Sequence, residues 1–449
     1  MSTLRRWLLV TMIGLMLLGL PGAGFAQGAT PVGGECVPNE LDGTCLPIAP
    51  ARDRVDRATP VFSNPTSIDN PLFPIGELES ALLMGTVDDL PFRVEVTLLP
   101  ITKTIEWNGQ RVETLVSQYT AYLDGRIMEV ALDWYAQADD GSVWYFGEDV
   151  FNYENGVVAD THGTWIAGQE GPAGMIMPGK PQVGDVYRPE NLPGVVFEEV
   201  TVKDTGVTVD GPVGPVRDAI VVTELHADGT TEDKTFAPRY GEFLTSSGGD
   251  VEALALAVPR DGMASPLASE LETLVAGAMV IGDDAMRGGW EQLAVTLASM
   301  NAAWSSYRAT DVPHWLDAQM NDALAGLEAA LAAVDPHRTR QAALDVQQAG
   351  LDLELRYLPV SQIDVARFDL WARQVAADAI AVDEPAMAGD VATMEWIWDR
   401  IAHLADDATV RDVEAHLAAL REALEAGDVA GATSAAARLQ ELVPRIDPR

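Results

Sequence analysis

Asp133 and Glu148 are the residues whose type and spacing most directly suggest chemistry. They lie in LDWYAQADDGSVWYFGEDV, residues 132–150, two strand-like runs joined by Asp140-Gly141. A two-residue turn there predicts that Trp134 faces Gly147, Asp133 faces Glu148 and Leu132 faces Asp149 across an antiparallel ladder. Directly opposed like charges cost stability unless a proton, an arginine or a cation sits between them. The same register puts Tyr135, Trp144 and Phe146 on the carboxylates' face, an aromatic surround suited to raising carboxyl pKa values or bordering a pocket. Asp133, Tyr135, Trp144, Phe146 and Glu148 are therefore the candidate ligand-binding residues. The competing expectations are two carboxylates on an exposed sheet face, or carboxylates satisfied by Arg126 or Arg111.

A second two-residue turn at Asn155-Gly156 predicts Asp149 opposite His162, with Asp160 close by. Asp149 and His162 form a candidate site for a divalent cation or a general base, against a plain surface ion pair. Met175 and Met177 make a step of soft thioethers that suits Cu(I), although two methionines on an extended run more often fill a core edge. His314, His337, His403 and His416 show no i, i+4 pair and no HExxH. No nucleophile elbow, phosphate loop, zinc spacing or cofactor fingerprint is present. The balance favours a non-enzymatic binding or interaction protein without a resident cofactor, its sheet holding a small ligand or cation and its helices contacting a partner. One alternative is a hydrolase using Asp133 and Glu148 as an acid/base pair; another is a structural envelope protein.

These residues need elements to hold them. From residue 75 to 258 the chain reads as alternating β-branched and aromatic runs. They are punctuated by Asn108-Gly109, Asp124-Gly125, Asp140-Gly141, Asn155-Gly156, Asp210-Gly211 and Asp228-Gly229. The wide spacing of the first four turns leaves room for long strands in an antiparallel meander curled into a half-barrel or barrel. Residues 161–191, rich in Gly-Pro steps, read as an ordered loop or lid over one end. From 266 to 445 the texture becomes alanine-rich with apolar spacing of three and four, as in Leu324, Leu327 and Leu331. The fold class is thus α+β multidomain: a β-meander followed by an all-α bundle of six or seven helices. Helix breaks fall at Gly288-Gly289, Asp311 to Pro313, Asp335-Pro336, Pro359, Glu384-Pro385, Asp406-Asp407 and Gly427-Asp428. Ala325 to Asp335 aligns without gaps on Ala418 to Asp428, which suggests two related helical hairpins. Trp371, Trp396 and Trp398 read as bundle core, and the series from Glu354 to Arg373 as surface or interhelix ion pairs.

Residues 1–26 read as a secretory signal, with Arg5 and Arg6 before an apolar run and a small-residue exit. An extracytoplasmic location follows, in the periplasm or outside the cell, with no membrane insertion after cleavage. Residues 27–74 read as a small loop closed by a Cys36–Cys45 disulfide and a proline-rich linker. A net charge of -39, from 68 acidic and 29 basic residues, repels phosphate backbones and anionic lipid. Nucleic acid is therefore excluded as a natural partner, leaving a small molecule or an envelope protein.

NPLFP at 70–74, DWYAQ at 133–137, VWYFGED at 143–149 and APRYG at 237–241 together resemble a group of uncharacterised exported bacterial proteins. That group carries D-W-Y-A-Q, a D-G turn and V-W-Y-F-G-E-D in the same order. The resemblance covers residues 70–243 and implies a β-domain without an assigned activity. APRYG departs from the group's A-P-G-x-G, and NPLFP is followed by IGELESALLMG rather than a P-G-T step.

Overall fold

A computed structural model describes residues 35–446; the signal-like stretch lies outside the described residues. Its β part is one antiparallel sheet of fourteen strands. In chain order these are β1 Ser80–Val87, β2 Leu90–Trp107, β3 Gln110–Leu123, β4 Arg126–Gln137, β5 Val143–Glu154, β6 Val157–Asp160 and β7 Trp165–Ile166. There follow β8 Gly174–Met177, β9 Val186–Leu192, β10 Val196–Gly211, β11 Gly214–His226, β12 Thr231–Ala237, β13 Gly241–Ser247 and β14 Asp250–Val258. Neighbours run β6-β5-β4-β3-β2-β1-β14-β13-β12-β11-β10-β9, so the two halves of the meander join where β1 pairs with β14.

The turn dipeptides act through backbone geometry. Asn108-Gly109, Asp124-Gly125 and Asn155-Gly156 have positive φ at both residues, the two-residue hairpin turn that twists with its strands. The Gly-Pro segment expected as a loop or lid supplies β7 and β8, which pair with β5, and β9, which pairs with β10. A Cβ on Gly174 would stand 1.7 Å from the Pro189 carbonyl oxygen. That closeness of β8 to β9 brings the sheet's margins together and curls it into a barrel around a cavity.

The proline-rich stretch does not behave as a free linker. Prolines cannot donate to a ladder, but the remaining polar groups strap the stretch to the barrel. Gln137 Oε1 accepts from the amides of Asp69 and Asn70, at 2.9 and 2.8 Å, and Asn70 Nδ2 donates to the Gly141 carbonyl at 2.8 Å. Phe62 packs edge-on to Trp107 and Phe146. Ahead of it, Cys36 and Cys45 are bridged, and Asn39 Nδ2 reaches the Asp228 carbonyl at 2.7 Å.

Eight α-helices follow: α1 Ser269–Asp284, α2 Trp290–Tyr307, α3 His314–Ala332, α4 Pro336–Glu354, α5 Val360–Ala381, α6 Glu384–Ile401, α7 Asp407–Glu425 and α8 Val429–Leu442. All seven expected breaks separate successive helices, giving one helix more than expected. In the first four, α1 packs on α2 and α4, and α3 on α4; in the second four, α5 packs on α6 and α8, and α7 on α8.

The repeat is therefore larger than the paired hairpins suggested by the sequence. Buried Leu271, Leu274, Ala278 and Ile281 of α1 correspond to buried Val365, Phe368, Ala372 and Val375 of α5 at a constant offset of 94. Leu293, Leu297, Met300 and Trp304 of α2 match Met387, Val391, Met394 and Trp398 of α6 at the same offset. At an offset of 93, Leu316, Met320, Leu324 and Leu327 of α3 match Thr409, Val413, Leu417 and Leu420 of α7. Thr339, Ala342, Ala343 and Val346 of α4 match Ala432, Ala435, Ala436 and Leu439 of α8. Two four-helix units with superimposable core patterns make up the α part.

The first unit covers the outer face of β1 and β14, where Leu82, Met84, Ala255, Leu256 and Val258 join its core. Charged side chains complete the contact. Arg93 bonds Glu95 at 2.6 Å and Asp352 at 2.7 Å; Arg367 bonds Asp352 at 2.9 Å and Asp364 at 3.3 Å; Arg400 bonds Glu95 at 2.8 Å. Three arginines thus balance three carboxylates in a buried cluster. Arg367 and Asp364, expected in helix or interhelix pairs, belong to it.

Candidate functional site

The cavity of about 110 Å³ lies inside the barrel. Alternation along the strands points Tyr119 of β3, Asp133 and Tyr135 of β4, Tyr145 of β5 and Ile176 of β8 into it, and a register shift between β9 and β10 brings in both Tyr187 and Glu190 of β9. Glu198 of β10, Glu224 of β11, Lys234 and Phe236 of β12, and Glu242 of β13 complete the wall. Phe73 of NPLFP joins it and packs against Tyr135 with ring centroids 4.9 Å apart.

Asp133 opposes Glu148, and Leu132 opposes Asp149, in the register expected from sequence. Closer to the turn the register differs. Gly141 has positive φ and Asp140 does not, so this is no two-residue turn; instead the Ala138 amide bonds the Ser142 carbonyl at 2.8 Å. Tyr135 consequently opposes Tyr145, and a bulge between there and Asp133 restores the outer register. The bulge leaves Phe146 and Gly147 both facing Trp134. It is fixed at Gly147, where φ is 113° and a Cβ would meet the Trp165 carbonyl oxygen at 2.1 Å.

This shift corrects the face assignment of two candidates. Tyr135 does share the carboxylates' face, where its ring stacks on Tyr145 at 4.9 Å. Trp144 and Phe146 lie on the opposite face, buried against Trp107. Tyr145 takes the place expected for them, and its hydroxyl donates to Asp133 Oδ1 at 2.7 Å. The expected cations are elsewhere: Arg126 pairs with Asp383 at 2.7 Å and Arg111 with Glu106 at 3.4 Å.

The Asp149–His162 pairing fails for a similar reason. A register shift between Asn152 and Tyr153 on β5 puts Asn152 opposite Asp160, which moves His162 one place off Asp149. Asp149 lies 3.7 Å from Lys103, whose ammonium sits over the Trp134 ring. His162 is exposed, and neither residue belongs to a three-ligand cluster among the described residues. Met175 and Met177 are buried core.

Asp133 and Glu148 are one of three directly opposed acid pairs in the barrel wall. Glu190 opposes Glu198, and Glu224 opposes Glu232. The pairs on β10 to β12 carry their own cations. Lys234 Nζ lies 2.6 Å from Glu224 and 3.4 Å from Glu232, while His226 lies 3.6 Å from Glu198 and 3.5 Å from Glu232. Burial opposes the charge on His226, but hydrogen bonds to Glu198 and Glu232 raise its pKa to about 10. Glu224, His226 and Glu232 also bring potential metal-ligand atoms within 4.8 Å of one another, but Lys234 already serves this group as a cation.

Asp133, Glu148 and Glu190 are compensated differently. Burial raises Asp133 to about 7, against the pull of the Tyr145 hydrogen bond. Burial and then repulsion from Glu198 raise Glu190 to about 8, although Trp165 Nε1 donates to its Oε1 at 3.0 Å. Burial, then Glu190 and Asp133, push Glu148 well above the carboxylate range. Glu148 and Glu190 lie within hydrogen-bonding reach of each other. Oε2 of each has no donor among the described side chains or backbone, so the pair needs a proton or a cation between its members.

No protein-family model matches the chain, and no curated protein matches it. What the site can do follows from its own geometry. It is a small, aromatic-walled cavity bordered by Asp133 and Glu190, with Glu148 buried within reach of Glu190 and all three carboxyls raised by burial, next to a second group held by Lys234 and His226.

Sequence reasoning missed Tyr145, Glu190, Glu198, Glu224, His226, Glu232 and Lys234. Their signal was charge at alternate positions, Glu224-x-His226 and Glu232-x-Lys234-x-Phe236. In one strand that pattern equally describes a solvated outer face; only curling of the sheet turns it inward.

Proposed function

We propose that this is an extracytoplasmic binding protein whose barrel takes a small cationic ligand, an organic ammonium or a metal ion, in place of the protons on Asp133, Glu148 and Glu190. The observation that carries this reading is the pair of unpartnered buried carboxyl oxygens, Oε2 of Glu190 in the aromatic-lined cavity and Oε2 of Glu148 beside it, next to Asp133. Buried carboxylates without a counter-cation are costly, and aromatic faces beside carboxylates suit a cation that is partly organic. The cavity has room for several waters or one small ligand. An extracytoplasmic address is supported by the disulfide between Cys36 and Cys45.

The test is a calorimetric titration of the purified chain with a set of small amines and divalent metals at pH 6 and pH 8. A ligand of this site binds with release of protons, and Asp133→Asn with Glu190→Gln abolishes both. Binding without proton release, or no binding by any member of the set, overturns the reading. The hydrolase alternative has in its favour that Asp133 sits near 7, where a general acid works best. It predicts turnover of a glycan that is lost in Asp133→Asn; the small volume of the cavity favours binding of a small ligand.

A further inference from the structure

A second concavity lies outside the barrel, an open trough of about 950 Å³ between the β5–β6 hairpin and helices α6 and α7. The hairpin tip is seated closely on α6: a Cβ on Gly156 would come within 2.3 Å of Gly389 N and the Pro385 carbonyl oxygen. Trp396 fixes one wall, its ring tilted against Phe151 with centroids 5.0 Å apart and its Nε1 donating to the Tyr153 hydroxyl at 2.8 Å. On the other side β6 is the free edge of the sheet and exposes Val157 and Val158. Five carboxylates, Glu384, Glu395, Asp399, Glu414 and Glu425, stand along the trough. Its one cation, Arg421, is paired with Glu395.

The helical duplication shows that this chemistry belongs to one copy. At the matching positions of the first unit, Trp396 is Ala302, Glu395 is Asn301, Asp399 is Ser305, Glu414 is Asn321 and Glu425 is Ala332. There Asn321 accepts a hydrogen bond from Trp304 at 2.9 Å, whereas the counterparts Trp398 and Glu414 both line the trough. The core positions agree between the copies, but Trp396, Glu395, Asp399, Glu414 and Glu425 stand where the first copy has small or amide side chains, while Glu384, Pro385 and Arg421 replace its Trp290, Glu291 and Glu328. Folding of a four-helix unit does not require them.

We infer that the trough docks a basic amphipathic peptide segment of a partner protein, apolar side chains against Trp396, Leu417 and Val157 and lysines or arginines along the acidic rim. Peptides commonly bind by laying an apolar face in such a groove or by extending a free strand edge. A lipid surface is disfavoured, because the chain's net charge of -39 repels anionic headgroups. The inference is independent of what the barrel holds.

The experiment uses the full chain and a synthetic amphipathic leucine–lysine peptide, with a leucine–glutamate peptide of the same pattern as control, read by fluorescence anisotropy at low and physiological salt. The wild-type chain is expected to bind the lysine peptide only, more weakly as salt rises. Asp399→Asn/Glu414→Gln/Glu425→Gln changes exposed residues and should weaken binding about tenfold, the loss of two or three exposed charge pairs. Ala418→Trp fills the trough without altering charge and should weaken it comparably. No binding by the wild type, or equal binding by either variant, overturns the inference; in particular, loss with the charge variant alone would mean attraction to an acidic surface rather than seating in the trough. Both variants leave the barrel carboxylates untouched, so the result reads the trough alone.

Discussion

Replacing Asp133 by Asn separates the protonated carboxyls from ordinary ones through stability and pH. Asp133 titrates at about 7 in the folded chain, against about 3.9 in an unfolded one. A carboxyl with a raised folded pKa binds more protons in the native state than in the unfolded state between those values, so it lowers stability as pH rises through that window. At about 1.4 kcal/mol per pKa unit, three units amount to about 4 kcal/mol lost between pH 4 and pH 8. Asn has the shape of the neutral acid and keeps an acceptor for the Tyr145 hydroxyl, so the variant escapes the loss. Urea unfolding from pH 4 to pH 9 is the assay. The expected result is a midpoint equal to wild type near pH 4 and well above it at pH 8. A variant destabilised by the same amount at every pH, or one with the wild-type slope, would refute the claim that Asp133 is held as a neutral acid.

Two further outcomes follow from the same geometry. Glu95→Gln leaves three arginines facing two carboxylates in the buried cluster between sheet and helices, and should cost about 3–5 kcal/mol, read as a fall in the urea midpoint with early proteolysis between β14 and α1. Burial pushes Glu95 up, but Arg367, Arg93 and Arg400 hold it well below the carboxylate range, so the same contact persists into acid and yields only when pH falls through that depressed value. Gly147→Ala drives a methyl into the Trp165 carbonyl and strains a left-handed backbone; a loss of about 2 kcal/mol or more should appear with rapid amide exchange in β5 and β7.

Much of the architecture was legible in the sequence because turns and helix breaks are local. Asn-Gly and Asp-Gly steps marked strand ends, and each Pro, Gly-Gly or Asp-Pro step marked a helix end. The carboxylate pair was legible as well, since the pairing of Asp133 with Glu148 survives the turn. What failed depended on one residue of register. Asp140-Gly141 and Asn155-Gly156 look alike as dipeptides but differ in backbone, and the difference decides whether Trp144 and Phe146 or Tyr145 meets Asp133. Most of the rest of the cavity comes from β9 to β13, remote in sequence from β4 and β5, and no local pattern relates them. The duplication was visible only in α3, α4, α7 and α8, where alanines repeat; in α1, α2, α5 and α6 burial is shared and residue identity mostly is not.

The junction of β1 with β14 also sets an order of events as the chain folds. Ser80 must wait for Val258 before the centre of the sheet exists, whereas each four-helix unit is assembled from neighbours in the chain. Distant strand pairing is slow and local helix packing fast, so α1 to α8 should collapse first and offer the outer faces of Leu82 and Leu256 a surface to condense on. Until then β1 and β14 present unpaired, aliphatic edges, the condition in which strands join the wrong partner. The dense negative charge of the chain, set by its 68 acidic residues, keeps separate molecules apart during that interval.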